Sequence, residues 1–405
     1  MNKLTSDKKQ FYKIIIPLAA GSAFSMLGDT TVYTVLPLHL EAAGITLAAA
    51  GILMGANRII RLFSNSIYGY LFDIGPKKGL FIFSLFTGSV STLIFAVFRG
   101  FWPLFFSRIL WGISWSGISI GGASILLSIV DRNKRGKWMG IHHLWFIAGN
   151  IFGSMLGGFL SDTIGYRGAM AVNGVISLFV TIFVLLLMPR LDKPTISGQY
   201  SLKPRDIITV IKNRELYFAA GILGISRLIF SGFVASLISI ITKNKISPFF
   251  IFIGVSTLTG IISSSKSLIS MISAPVAGLL SDIFKDRWTS IIVSFALGAA
   301  GLILTSMPSP ILTITGILLC AIPGSSIMVL TKSIAGDISD HKNSGRAIGF
   351  VSTAGDFGSA VGPPIAFFML TLVGLDLILQ ISSLILIAVI ISIIIIKHKS
   401  ASRNI

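Results

Sequence analysis

Gly69-Tyr70-Leu71-Phe72-Asp73-Ile74-Gly75-Pro76-Lys77-Lys78 returns, degenerate, as the segment Gly278-Leu279-Leu280-Ser281-Asp282 to Arg287, at an offset of 209 residues. The same offset carries Asp131, Gly136, Lys137 and Gly140 onto Asp340, Gly345, Arg346 and Gly349. It also carries Gly149 and Gly153 onto Gly358 and Gly362, and Gly51 onto Gly260. One offset held without a gap over about a hundred residues is the mark of a tandem duplication. The copies are embedded in twelve long apolar stretches, six per copy. The expected fold is therefore an all-α integral membrane protein of twelve transmembrane helices in two parallel-repeat six-helix bundles. Two such halves, related by an axis along the bilayer normal, can rock about a central site.

Composition agrees with that reading. The chain of 405 residues is 53% hydrophobic and 12% charged, too apolar to present an ordinary water-facing surface. Each stretch holds about the twenty apolar residues that cross a bilayer. The seventh is expected at 215–241, the eighth at 249–279 and the tenth at 310–334. The net charge of +18 is placed by topology and does not point to nucleic acid. With a cytoplasmic N-terminus, only Arg99, Arg167, Lys243 and Lys245 fall outside, and Arg58, Arg61, Arg108, Arg227 and Lys266 fall within spans. The remaining Lys and Arg lie on the cytoplasmic side, which fixes the orientation with both termini inside. The domains read as a bundle over 1–188, a basic cytoplasmic linker over 189–214 and a bundle over 215–405. The first span contains Asp29 and is too long for the core of a signal peptide, so it is read as retained. Cys320 is the one cysteine, so there is no disulfide framework.

The loop Gly69 to Lys78 resembles the loop signature of the major facilitator superfamily, a glycine-x-leucine-x-aspartate followed by a glycine and two basic residues. It is one residue short after Asp73 and has Ile74 where a basic residue is usual. Physically, Gly69 would allow close helix packing, and Asp73, Lys77 and Lys78 could bind helix ends. The resemblance implies that this loop latches one state of the transport cycle. Arg108-Ile109-Leu110-Trp111-Gly112 is similar to the family's arginine-x-x-x-glycine motif, which implies a part in proton coupling. Gly149, Gly153, Gly157 and Gly158 in the fifth span are similar to the drug/proton antiporter signature, with Ser154 where proline is expected. Small residues four apart also serve plain helix packing.

Ionisable groups inside spans are costly and mark candidate sites. Here they are Asp29, Arg58, Arg61, Arg108, Arg227, Lys266 and Asp356. At about 1.5 Å per residue, Asp29 and Arg108 lie at similar depth in one half and are expected to pair. Arg61, Arg227 and Asp356 fall near the midplane. Asn57, Arg61 and Asn65 form a polar stripe with Arg58 beside them, and Lys266 stands opposite Asn57 in the repeat, with Ser263, Ser270 and Ser273 along its own helix. Asn57, Arg58, Arg61, Arg227 and Lys266 are the expected substrate contacts. Asp29, Arg108 and Asp356 are the expected proton-coupling groups. Four cations outnumber Asp356, which favours an anionic or zwitterionic substrate.

Other chemistry is missing from the sequence. It has no HExxH, no phosphate loop ending in GK[ST] and no Cys/His cluster with metal spacing, so neither cofactor nor metal is expected. Ser263 to Lys266 fits SxxK only within a serine-rich span, and His142 and His143 read as anchors at the membrane interface. The leading expectation is a proton-coupled exporter of a small organic solute at the cell membrane, acting as a monomer. The alternative is proton-coupled uptake or exchange of an anion. A membrane receptor or enzyme would need an extramembrane domain or a catalytic constellation, and the sequence has neither. The expected partners are the substrate, protons and the lipid bilayer.

Overall fold

The structure, a computed structural model, describes residues 2–131, 134–191, 213–284, 286–338 and 344–401. Every regular element among them is helical. Eleven helices are long and apolar enough to cross a membrane. One of these, Arg135–Leu187, holds two spans, because the chain turns at Gly165 with φ 79° and ψ 165°. A side chain there would be strained, so glycine is what allows the fifth span to reverse into the sixth without a loop. The twelve spans of the sequence reading are thereby accounted for. Most of the expected linker lies outside the described residues, as do Asp340 and its neighbours in the second copy of the Asp131 loop.

The chain divides into two compact units. The first holds spans one to six together with Ile253–Ser264, and the second holds the seventh span, the helix from Ser265 and spans nine to twelve. In the first unit Leu18, Phe72, Phe81, Ile118, Ile125 and Leu126 build one apolar core, each no more than about 1% exposed. Burying such side chains stabilises by roughly 1.5–3 kcal/mol apiece in water. Within a bilayer, close packing and internal hydrogen bonds carry the association of helices instead.

The repeat is visible as chemistry. Ser64 of the second span and Ser116 of the fourth share a hydroxyl hydrogen bond of 2.7 Å. Ser273 of the eighth and Ser325 of the tenth share another of 2.7 Å, each partner displaced by the same 209 residues. Glycine packing is likewise repeated. In the first unit an added Cβ on Gly149 would sit 2.1 Å from the Ala23 carbonyl, and one on Gly153 would sit 2.1 Å from the Thr30 hydroxyl. In the second, Gly358 meets the Gly224 carbonyl at 2.1 Å and Gly362 meets the Cα of Gly232 at 2.5 Å.

Two of the four outward-assigned cations, Arg167 and Lys245, have structural work. Arg167 donates from Nε to the Ala96 carbonyl at 2.8 Å and from its guanidinium to Val97, closing the last turn of the third span. The repeat equivalents of those carbonyls are Thr305 and Ser306, and Lys245 binds them at 3.1 and 2.6 Å. The residue equivalent to Arg167 is Asp376, which pairs with Lys245. The cation has moved to another helix and the carboxylate holds it there, while the carbonyl cap is kept. Lys245→Ala should lower stability by about 1–2 kcal/mol. Adding Asp376→Arg to that variant should recover roughly half of the loss in thermal unfolding. No recovery would mean that the two caps are not equivalent.

Three boundaries differ from the sequence reading. The seventh span runs on to Phe249 through two π-helical stretches, Arg227–Val234 and Thr242–Ile246. The eighth begins at Val255, because the apolar run Phe249 to Ile253 that suggested an earlier start is an exposed turn, with Phe252 fully exposed. Pro248 stands in the closing 3-10 turn Ser247–Phe249, and Gly254 opens the next helix. The tenth span reaches Ile338 and is interrupted at Cys320, where Pro323 has no N–H to give to Leu319. Outside the spans, Asp286 caps the ninth helix through the Thr289 N–H at 3.1 Å. Burial pushes its carboxyl up, but bonds from Lys397 and Thr289 outweigh that and hold it at about 2.

Candidate functional site

The first unit contains the buried ion pair expected from depth. Arg108 is 1% exposed and places Nη1 2.7 Å from Asp29 Oδ1. Its Nε also donates to the Leu53 carbonyl at 3.2 Å. Gly112, one turn on, explains how the guanidinium reaches both groups. A Cβ there would lie 2.0 Å from the Ile60 side chain and 2.4 Å from the Asn57 carbonyl, so the second and fourth spans touch backbone to backbone. The arginine-x-x-x-glycine spacing thus joins a charge to the close approach that positions it.

Tyr33, one turn after Asp29, extends this site. Its hydroxyl donates to the Met54 carbonyl at 2.8 Å. Its ring faces two guanidiniums, Arg108 at 5.6 Å and Arg58 at 5.3 Å. Arg61 lies over the Trp115 ring at 5.4 Å. Cation–π contacts stabilise guanidiniums that have left water. Asn57 is 2% exposed, and its Oδ1 has no hydrogen-bond partner among the described residues. Asp29, Asn57, Arg58, Arg61 and Arg108 therefore gather on the first, second and fourth spans, with two aromatic rings that the sequence reading missed. The spacing of Asp29 and Tyr33, four apart on a helix, was the available signal.

The second unit gathers a different set. Arg227 opens the π-helical stretch, donates to the Ser231 hydroxyl at 3.1 Å and rests against the Met328 thioether. Its side-chain stem lies 3.3 Å from where a Cβ on Gly355 would stand, next to Asp356. Lys332, one turn beyond Met328, lies within electrostatic reach of both Arg227 and Asp356. The sequence reading sets the tenth span at 310–334, with Lys332 two residues from its end, and leaves it out of the intramembrane charges. The helix continues for six residues past Lys332, about 9 Å of rise. Lys266 lies within electrostatic reach of the buried Cys320. On the same helix Ser270 donates to the Ala321 carbonyl at 3.2 Å.

The loop lysines bind backbone carbonyls of neighbouring helices. Lys77 donates to the Ser124 carbonyl at 3.4 Å and lies within electrostatic reach of Asp73, and Lys78 binds the carbonyl of Met188. The Met188 carbonyl closes the helix that ends at Leu187, where a cation meets the negative end of the helix dipole, whereas Ser124 lies more than a turn before the end of the fourth span. Gly69 departs from expectation. No described atom lies within 4 Å of a Cβ built on it, so it serves no close helix approach here. His142 also departs: it is 4% exposed and sits edge-on to Phe146 at 4.9 Å, in the core and not at an interface. Gly157 packs on Thr31, whereas Gly158 faces the opposite way, 2.2 Å from the Ser256 carbonyl. Among the described residues, no group of three or more His, Cys, Asp or Glu could hold a metal.

The family model for the Major Facilitator Superfamily matches residues 18–264 and 216–404. The chain belongs to the major facilitator superfamily. Among its relatives is the multidrug resistance protein MdtG of Escherichia coli (strain K12 / DH10B). The two are 24% identical over 352 residues, covering 85% of this chain and 83% of MdtG. Among solved structures, a POT family transporter in complex with a thioalcohol-conjugated peptide superposes with a TM-score of 0.78 at 11% identity, covering 95% of this chain and 96% of that one. The nucleoside transporter NupG gives 0.72 at 15%, covering 94% and 98%. At these identities the superpositions establish the fold, and this member of the superfamily is a multi-pass membrane protein and a secondary transporter. Its ion-paired arginine, its glycine-packed spans and its loop lysines are therefore parts of a transporter.

Proposed function

We propose that the chain is a proton-coupled exporter of a small organic compound at the cell membrane, with both termini cytoplasmic and its halves alternating access about a central site. One observation carries this reading: the buried pair of Asp29 and Arg108. Asp29 is 14% exposed against 1% for Arg108, so the carboxylate is the more accessible partner and the guanidinium the enclosed one. Protonating Asp29 would weaken the pair and leave a buried cation to find other partners, which links a proton to a rearrangement of the first, second and fourth spans. Asp356, beside Arg227 and Lys332, is a second candidate carrier. The relation to a protein named for multidrug resistance supports efflux.

A second reading, transport of an organic or inorganic anion, is favoured by the sign of the intramembrane charge. Arg58, Arg61, Arg227, Lys266 and Lys332 stand in the spans besides the pair, with Asp356 as the acidic counterpart. Purified protein in liposomes with an imposed pH gradient, screened with organic anions and lipophilic cations, tests both readings. Arg61→Gln and Lys266→Gln should each weaken an anion by about 1.5–3 kcal/mol, the worth of a charge-assisted hydrogen bond. A lipophilic cation should bind as well or better. Unchanged anion affinity, or a weakened cation, would remove these residues from the binding site.

A further inference from the structure

The eighth span begins without a cap of its own. The Leu258 N–H donates to the Gly254 carbonyl at 2.9 Å, which makes Gly254 the N-cap residue, and glycine has no side chain to receive the next free amides. Asp162, at the far end of the fifth span, receives them. Its carboxylate accepts from the Ser256 N–H at 3.2 Å, the Thr257 N–H at 2.6 Å and the Thr257 hydroxyl at 2.7 Å. A Cβ on Gly254 would lie 2.1 Å from Asp162 Oδ2, so the glycine is what admits the carboxylate. A negative charge at a helix N-terminus is also favoured by the helix dipole.

Below this cap the two helices meet along one stripe. Gly158 faces the Ser256 carbonyl at 2.2 Å, Gly260 faces the Ser154 carbonyl at 2.3 Å, and the Ser264 hydroxyl donates to the Ile151 carbonyl at 2.8 Å. His39 Nε2 lies 3.0 Å from the Ser161 hydroxyl and 3.3 Å from that of Ser256, and its ring stacks on Tyr166. Val255–Ser264 thus belongs to the first unit, although the rest of its helix belongs to the second. We propose that Asp162 is a positioning residue: by capping the eighth span from the fifth, it fastens Val255–Ser264 to the first unit. Asp162 itself is exposed, so the fastening is made with water at hand and is screened and reversible, as a contact that must open and close requires. This inference stands apart from the choice of substrate and coupling ion.

Thr259, fully buried on the same helix and next to Gly260, is the reporter. In a Cys320→Ala background, Thr259→Cys is labelled with a membrane-impermeant maleimide in liposomes. Asp162→Ala and Gly254→Ala should each raise the labelling rate about tenfold or more, and Asp162→Asn, which keeps an acceptor oxygen, should raise it less. The double variant Asp162→Ala/Gly254→Ser regains a cap within its own helix but no tie to the fifth span, and should stay fast. Labelling at the parent rate in the single variants, or a return to that rate in the double variant, would overturn the proposal. A cysteine at Ser236, buried in the seventh span, reports general unfolding. If Asp162→Ala exposes that position too, Gly254→Ala and Asp162→Asn decide on the same criterion.

Discussion

Asp29→Asn should abolish transport driven by a pH gradient and should destabilise the first unit by about 3–5 kcal/mol, the cost of breaking a buried ion pair. Arg108 is 1% exposed and would keep the Leu53 carbonyl as a neutral partner for Nε, so its charge would be left enclosed without Asp29. Removing both charges is a different matter. Asp29→Asn with Arg108→Gln should recover most of the stability, because neither half of the pair is then left as a buried charge without its partner, while transport stays lost. Thermal unfolding of the three variants separates the terms, and the liposome assay reads the coupling. Gradient-driven transport that survives in Asp29→Asn would pass the proton to Asp356 or to another group. Instability that persists in the double variant would assign the pair a packing role alone.

The second large effect is expected at Gly112. Gly112→Val places branched carbons where the Ile60 side chain and the Asn57 backbone carbonyl already stand, 2.0 and 2.4 Å from the first added carbon. Ile60 can change rotamer, but a backbone carbonyl within a helix cannot withdraw. The second and fourth spans must then separate, and overpacking of this kind costs roughly 1–3 kcal/mol, occasionally more. Separation also carries Leu53 and Arg108 apart, so transport should fall even if the protein folds. Gly69→Val is the matched control: no described atom lies within 4 Å of its Cβ, and thermal stability should change by under about 0.5 kcal/mol. A Gly112→Val protein as stable and active as the parent would show that the spans can part without consequence.

How far the site could be read in advance differs residue by residue. Asp29 and Arg108 were legible because depth along a straight helix follows from counting residues, and a charge in an apolar run needs a partner at its own depth. Tyr33 and Trp115 were not, since aromatic residues are common in spans and only the bundle shows which rings face Arg58 and Arg61. Lys332 stood two residues from the expected end of the tenth span and was passed over as an end-of-span cation, and only the continuation of its helix to Ile338 puts it well inside. Gly69 was overread: a glycine in a recognised motif reads as a packing contact, and whether another helix passes there is a tertiary matter.

The sequence by itself determined the twelve spans, their duplication and the repeat offset, because hydropathy and self-similarity are properties of consecutive residues. It determined the pairing of Ser64 with Ser116 and of Ser273 with Ser325 only as an equivalence, saying that what one pair does the other would do. The tertiary structure decided which groups satisfy which. Arg167 caps the third span from the sixth, whereas the matching carbonyls of the second unit are capped by Lys245 from the seventh, with Asp376 in the place of the arginine. Asp162 likewise caps a helix more than ninety residues away. Backbone amides and carbonyls left open at a helix end must find a partner, but any side chain that arrives will serve. The need is written locally, and the partner is chosen by which helices the fold brings side by side.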